Sequence, residues 1–275
     1  MMDSKKILFH ADDFGRSSQI SKKILECLKF GSLNSVSVIV NHDQESLVEL
    51  KKLKNIYIRL HLNLTEIPKS EDDNHNFLYD LNLLKLMFLN KKDKEKVFVE
   101  IDKQIKKFIK IFEPEKLRID GHEHVHLVPW IYKYVKKKFD VYEMRNSNEN
   151  LMTPRFQDII NIRYLRNFVG CIYIKLLCLL NKVNKFNSPK FSGLLYSGIQ
   201  DSSTIKKTLR YFEKQKIKNF EILVHPGFAG TQEKNLFKKK YYNFYISDKR
   251  KKEYDLCFSE EIKKKFELNI LNEKN

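Results

Sequence analysis

Six stretches of the chain read as β-strands, at residues 6–10, 36–40, 56–64, 116–119, 141–145 and 220–224. Between them apolar residues recur at helical spacing: Ile20, Ile24, Leu25 and Leu28 up to Gly31, and Val97, Ile101, Ile105, Phe108 and Phe112 within 94–112. Strand and helix taking turns is the pattern of crossover connections. The strands should therefore pair largely in parallel, in a sheet either open or closed into a barrel. Further helices are expected at 43–52, 78–89, 130–138, from Ser202 or Ser203 to Lys214, and from Ser259 onward.

In α/β folds the chemistry collects at the carboxyl ends of the strands. The first strand runs into Ala11-Asp12-Asp13-Phe14-Gly15, where two adjacent acids either serve a site or cap the next helix. In the third, Ile56, Ile58, Leu60, Leu62 and Leu64 share one face and Arg59, His61 and Asn63 the other, which turns His61 inward near its strand's end. A lone histidine there would be read as a core residue. The fourth leads into Asp120-Gly121-His122-Glu123-His124-Val125-His126, and on a continuing strand the three histidines would project together. Such crowding is hard to explain by packing; the alternatives are a histidine-rich surface turn, or one buried histidine with two solvated neighbours. With His61 and the paired acids, it points to a metal site. The last strand ends at His225-Pro226-Gly227. The polar loop 65–76, with Pro68, Glu71, Asp72 and Asp73, either borders that site or is plain surface.

Composition narrows the partners. With 275 residues, 42% of them hydrophobic, the chain can bury a substantial core. Its formal charge of +17 comes from lysines spread through nearly every helix-like stretch, which reads as solvated helix faces. The alternative is attraction to nucleic acid or to an anionic membrane. No aromatic-interleaved basic motif is present, so no nucleic-acid partner is expected. Cys27, Cys171, Cys178 and Cys257 have no CxxC spacing, which supports neither a disulfide framework nor a cysteine zinc site and implies a reducing compartment. The N-terminal residues show no apolar signal-peptide region.

Residues 156–186 break the alternation. They are apolar nearly all round a helical projection, interrupted by Arg166 and Lys175, with no run near the roughly 20 residues of a spanning helix. The segment is either a helix buried in the core or an interfacial helix. In the second case it forms a hydrophobic lip for a lipid-linked substrate, with Lys182, Lys185 and Lys190 toward anionic headgroups.

His10-Ala-Asp-Asp-Phe-Gly15, Leu60-His-Leu-Asn-Leu-Thr65, Asp120-Gly-His-Glu-His-Val-His126 with Pro129, and Val224-His-Pro-Gly227 together resemble the successive motifs of the YdjC-type carbohydrate deacetylase family. Met144-Arg145, Gly193 and the region 250–253 resemble weaker features of the same family. The resemblance implies a single domain over 1–275, folded as a distorted (β/α) TIM-like barrel with a helical insertion at 156–186. It also implies removal of acetyl groups from N-acetylated amino sugars with a divalent cation, Mg2+ first and Zn2+ second. By motif, Asp13, His61 and His122 would hold the metal, Asp12 would be the general base, and His225 would assist near the leaving group. His124, His126 and Arg145 would contact substrate or orient the ligands, and the two histidines would face away if the strand ends early. Two positions depart from the family pattern: His10 stands where asparagine is usual, and Arg59 where a small residue is usual. Arg59 would narrow the pocket or bind an anionic substrate group. The competing readings are a metal-dependent phosphoesterase and a catalytically silent sugar-binding homologue. The expected setting is cytoplasmic, extending to the inner face of the membrane if the substrate is lipid-linked, and an oligomer is compatible with the sequence.

Overall fold

The structure, a computed structural model, describes residues 6–67, 77–152, 154–183 and 188–271. The acidic patch Glu71, Asp72 and Asp73, with Pro68, and the pair Lys185 and Phe186 lie outside the described residues.

The elements are β1 (Lys6–Phe14), α1 (Ser18–Phe30), β2 (Ser35–Val38), α2 (Gln44–Lys51), β3 (Tyr57–Leu62), α3 (Leu83–Met87), α4 (Lys91–Phe112), β4 (Leu117–Gly121), α5 (Pro129–Lys138), β5 (Val141–Met144), α6 (Phe156–Ile159), α7 (Ile162–Asn181), β6 (Lys190–Ser192), α8 (Ser202–Lys214), β7 (Asn219–Val224), α9 (Lys239–Tyr245), α10 (Asp248–Cys257) and α11 (Glu260–Leu271). Short 3-10 turns cover His122–Leu127 and Thr231–Leu236. All six strand pairings are parallel, in the order β5-β4-β3-β2-β1-β7-β6. Only β6, three residues long, was not expected from the sequence.

The sheet is strongly curled. Five inter-strand steps separate β5 from β7, roughly 24 Å in a flat sheet. Yet Arg145, directly after β5, places Nε 2.9 Å from Glu221 Oε1 on β7. The curl does not close into the expected barrel: β5 and β6 are edges with no pairing to each other among the described residues. The chain passes from β5 to β6 through α6 and α7, and α7 is tied to both sides of the opening. Asn181 Nδ2 donates to Leu127 O (2.7 Å), and Asn167 Nδ2 to Leu195 O (3.1 Å) and Ser197 O (3.0 Å).

Helices cover the outer face of the sheet, where Phe9 of β1 stacks on Phe266 of α11 with centroids 4.8 Å apart. The stripe of α4 buries Val97, Ile101, Ile105 and Phe108, as its spacing predicts. Gln104 within that stripe accepts from Asn63 N (3.0 Å) and donates to Asn63 O (2.7 Å), pinning the chain beyond β3. Several boundaries differ from expectation because local caps compete. Asp201 rather than Ser202 or Ser203 caps α8, accepting from Thr204 N at 2.8 Å, and the helix expected at 78–89 is broken at 80–82, between helical residues 77–79 and the short α3. The cysteines Cys27, Cys171, Cys178 and Cys257 are buried free thiols.

The apolar segment departs most from its reading. With 20 residues, α7 is long and apolar enough, by length and composition, to cross a bilayer, contrary to the run length expected from sequence. Nor is it buried all round. Tyr164, Cys171, Ile174, Leu177 and Cys178 face inward, while the opposite side is open.

Candidate metal centre

The first pair of acids is positioned by a backbone irregularity. Regular alternation would send Asp12 and Asp13 to opposite faces of β1. Between Ala11 and Phe14 the register on β2 slips, three steps of β1 opposing two of β2, and Asp13 takes a left-handed φ of 71°. Such a bulge re-aims side chains, and both carboxylates end up lining one cleft of about 190 Å³. Gly15 (φ 84°) closes the turn, and a Cβ there would lie 2.1 Å from Ile39 O. Asp12 keeps the inward face of β1, with His10 Nε2 3.1 Å away.

His61 on β3 stands opposite Asp120 on β4 in the sheet register. Its Nδ1 lies 2.6 Å from Asp120 Oδ1, and its Nε2 lies 3.6 Å from Asp13 Oδ1. His122 starts the 3-10 turn after β4, with Nδ1 3.0 Å from the same Asp13 oxygen and Nε2 3.2 Å from Glu66 Oε1. Thus two imidazole nitrogens converge on one carboxylate, and each ring's other nitrogen meets a second carboxylate. That is the arrangement in which outer carboxylates orient histidine ligands around a metal. Donor atoms of Asp13, His61 and His122 lie within 4.8 Å of one another, close to the span that bonds of about 2.0–2.2 Å allow. The other oxygen of Asp13 is held by Arg250 Nη2.

The charge balance also suits a cation. Inside the curl, Asp12, Asp120, Glu143 and Glu221 share the guanidiniums of Arg59 and Arg145, which leaves two negative charges in excess. Arg145 grips Asp12 with both Nη atoms (3.0 and 2.9 Å) and reaches Asp120 Oδ2 at 2.8 Å. Burial alone would raise the pKa of Asp12; the Arg145 guanidinium, with His61 and His10, outweighs it and holds this carboxyl well below the usual range. Burial would lower His61, but Asp12 and Asp120 hold it up at about 9. The field that favours a proton on these imidazoles also favours a metal ion between them.

The three histidines of the fourth motif do not project together. The strand stops at Gly121, and Glu123 and His124 adopt left-handed backbone (φ 50° and 59°). His122 therefore turns to Asp13, His124 lines the cleft beside Phe191, and His126 packs behind, its Nε2 3.0 Å from Arg145 O. Arg59 does not reach the cleft. Its guanidinium is fully buried and held by Glu143 (Nε 3.0 Å, Nη2 2.7 Å) and Glu221 (Nη1 2.5 Å), and it is not among the residues that line the cleft. His225 lines the cleft, its backbone N–H donating to Glu253 Oε2 at 2.5 Å. Sequence reasoning gave no role to Asp120 or Glu66. Asp120 sits at the inward period of β4, a usable signal; Glu66 follows β3 in a loop and offered none.

His126 makes a stability prediction. Burial, outweighing Asp120 and the Arg145 carbonyl, pushes its pKa down to about 4, against an unfolded value near 6.5. Below pH 6.5 the unfolded chain binds the extra proton, so the wild type loses stability as pH falls toward 4. His126→Asn lacks this term, and its destabilisation relative to wild type should shrink by about 2 kcal/mol between pH 7.5 and pH 5. Urea unfolding at both pH values checks this. An unchanged difference would mean that His126 accepts a proton in place.

Among named relatives, a mouse (Mus musculus) carbohydrate deacetylase is 26% identical over 151 residues, 51% of this chain and 49% of its own length. The chain thus spans about half the length of the vertebrate relatives it matches. A Proteus mirabilis chitooligosaccharide deacetylase is 22% identical over 227 residues, covering 81% of both. A crystal structure from Enterococcus faecalis, named for a suggested cellobiose-phosphate cleavage, shares the fold with TM-score 0.66 and 20% identity over 97% of this chain and 95% of that one. The family model for YdjC-like proteins matches residues 6–268, nearly the whole chain, and the protein belongs to that family.

Proposed function

We propose that the protein is a metal-dependent hydrolase that removes acetyl groups from N-acetylated sugars. The observation that carries this is the convergence of Asp13, His61 and His122, each imidazole backed by its own carboxylate. The names of the relatives support the substrate class. Two imidazoles with one carboxylate suit Zn2+ or another first-row transition ion better than Mg2+, which prefers oxygen donors. A divalent cation held there supplies Lewis acidity toward an amide carbonyl and acidifies water.

The rest falls to the chain. Asp12, ionised and fixed by Arg145, takes the proton of the attacking water. His225, placed through Glu253, gives a proton to the departing amine. The phosphoesterase alternative calls for a second ion. The other histidine and acid cluster among the described residues, His10, Asp12 and Asp120, already holds the Arg145 guanidinium.

Acetate release from N-acetylglucosamine oligomers tests the reading. Chelator-stripped protein should be inactive and recover with Zn2+; full activity after verified stripping would overturn it. Asp120→Ala removes the group that orients His61 and should weaken metal affinity roughly 10–100-fold in a competition titration. Unchanged affinity would remove Asp120 from that role.

A further inference from the structure

The outward side of α7 carries Ile162, Leu165, Val169, Ile172, Leu176 and Leu179, between 48% and 83% exposed. At about 100° per residue these six fall within a sector of roughly 100° running the length of the helix. Phe156 and Ile160, just before it, are 85% and 77% exposed. Single exposed apolar residues are ordinary, but a continuous stripe of this kind marks an interaction surface. Exposed Arg166 and Lys175 lie about 40° outside the sector, one on each side. Between Asp158 and Asp201 the chain has no acidic residue and six cationic ones. Exposed Lys133 and Lys137 of α5 border a groove shared with Leu180 at the end of the stripe.

We propose that this face of α7 docks the protein, lying flat, onto an anionic lipid surface. An apolar face edged by cations, on a stretch with no acidic residue of its own between Asp158 and Asp201, is the pattern of helices that rest at the headgroup boundary. Charge selects the occupant. A second copy packed on the same stripe would set its Arg166 and Lys175 edges against other cations, and residues 159–200 would bring no acid to that interface. Spanning the bilayer is excluded by packing, because Ile174, Leu177 and Cys178 of the opposite face belong to the protein core.

The docked helix also backs one side of the cleft without lining it. Arg163 Nε and Asn167 Nδ2 donate to Ser197 O at 3.2 and 3.0 Å, and Ser197 and Leu194 line the cleft. Docking therefore brings the metal centre to the membrane boundary. On the deacetylase reading, from which this part follows, the substrate is an N-acetylated sugar anchored to a lipid.

Sedimentation with vesicles tests the docking without catalysis. The protein should pellet with phosphatidylcholine vesicles containing phosphatidylglycerol at low salt, and be released by high salt. Val169→Asp with Leu176→Asp, both at exposed positions, should lower vesicle binding at least ~10-fold at unchanged melting temperature. Arg166→Gln with Lys175→Gln should act in the same direction. The aspartate pair should keep acetate release from water-soluble sugars while losing it on vesicle-embedded substrate. No vesicle binding at low salt, equal binding by the aspartate pair, or a wild-type dimer that this pair dissolves would each overturn the proposal. If vesicles bind but no soluble N-acetyl sugar is hydrolysed, the docking stands and the deacetylase reading fails.

Discussion

Asp12→Asn is expected to keep the bound cation and lose about two to four orders of magnitude in turnover, the usual effect of removing a general base. The asparagine fits the same space, and its amide oxygen can still accept from Arg145, so the fold and the metal ligands Asp13, His61 and His122 stay in place. It cannot take a proton from water. The neighbouring acid should behave differently: Asp13 touches both imidazoles, and its loss removes the metal itself. Metal content and acetate release, measured on one preparation of Asp12→Asn, decide the point. Near-normal turnover with metal bound would remove Asp12 from the base role.

Arg145→Met is expected to cost about 3–5 kcal/mol of stability, the range for breaking a buried ion network by removing one side. This guanidinium contacts Asp12, Asp120 and Glu221, all nearly inaccessible to solvent. It holds the Asp12 carboxyl down against its burial, and Asp120 and Glu221 likewise. Without it, one or more of these acids must take up a proton or admit water. Urea unfolding above pH 7 should show the full loss. A smaller loss is expected at lower pH, where the freed carboxyls protonate and the pH dependence of stability changes sign relative to wild type. A loss below ~1 kcal/mol at neutral pH would mean that the network is already hydrated.

What the sequence determined is the periodic part of the molecule. Strand and helix alternation required parallel pairing, and six of the seven strands are at or near the expected residues. The order of the motifs placed Asp13, His61, His122 and His225 at strand ends, because polar residues there break an otherwise apolar period. Alternation within β3 turned Arg59 and His61 inward, which the structure bears out in their contacts with Glu143, Glu221 and Asp120.

Tertiary structure decided wherever the chain leaves its period. Asp12 and Asp13 share a cleft only because β1 slips by one residue against β2 and Asp13 adopts φ 71°. The run His122, His124, His126 fans out in three directions because the strand stops at Gly121 and the backbone turns left-handed. Arg59 is spent on Glu143 and Glu221, partners brought together by the curl of the sheet. Glu66 reaches His122 from a loop with no recognisable pattern. The open edge between β5 and β6, and with it the bare apolar face of α7, also arises at this level. Local periodicity reports which way a side chain points, whereas curl, bulge and closure depend on contacts between residues far apart in sequence, and only those contacts bring these acids and imidazoles to one point.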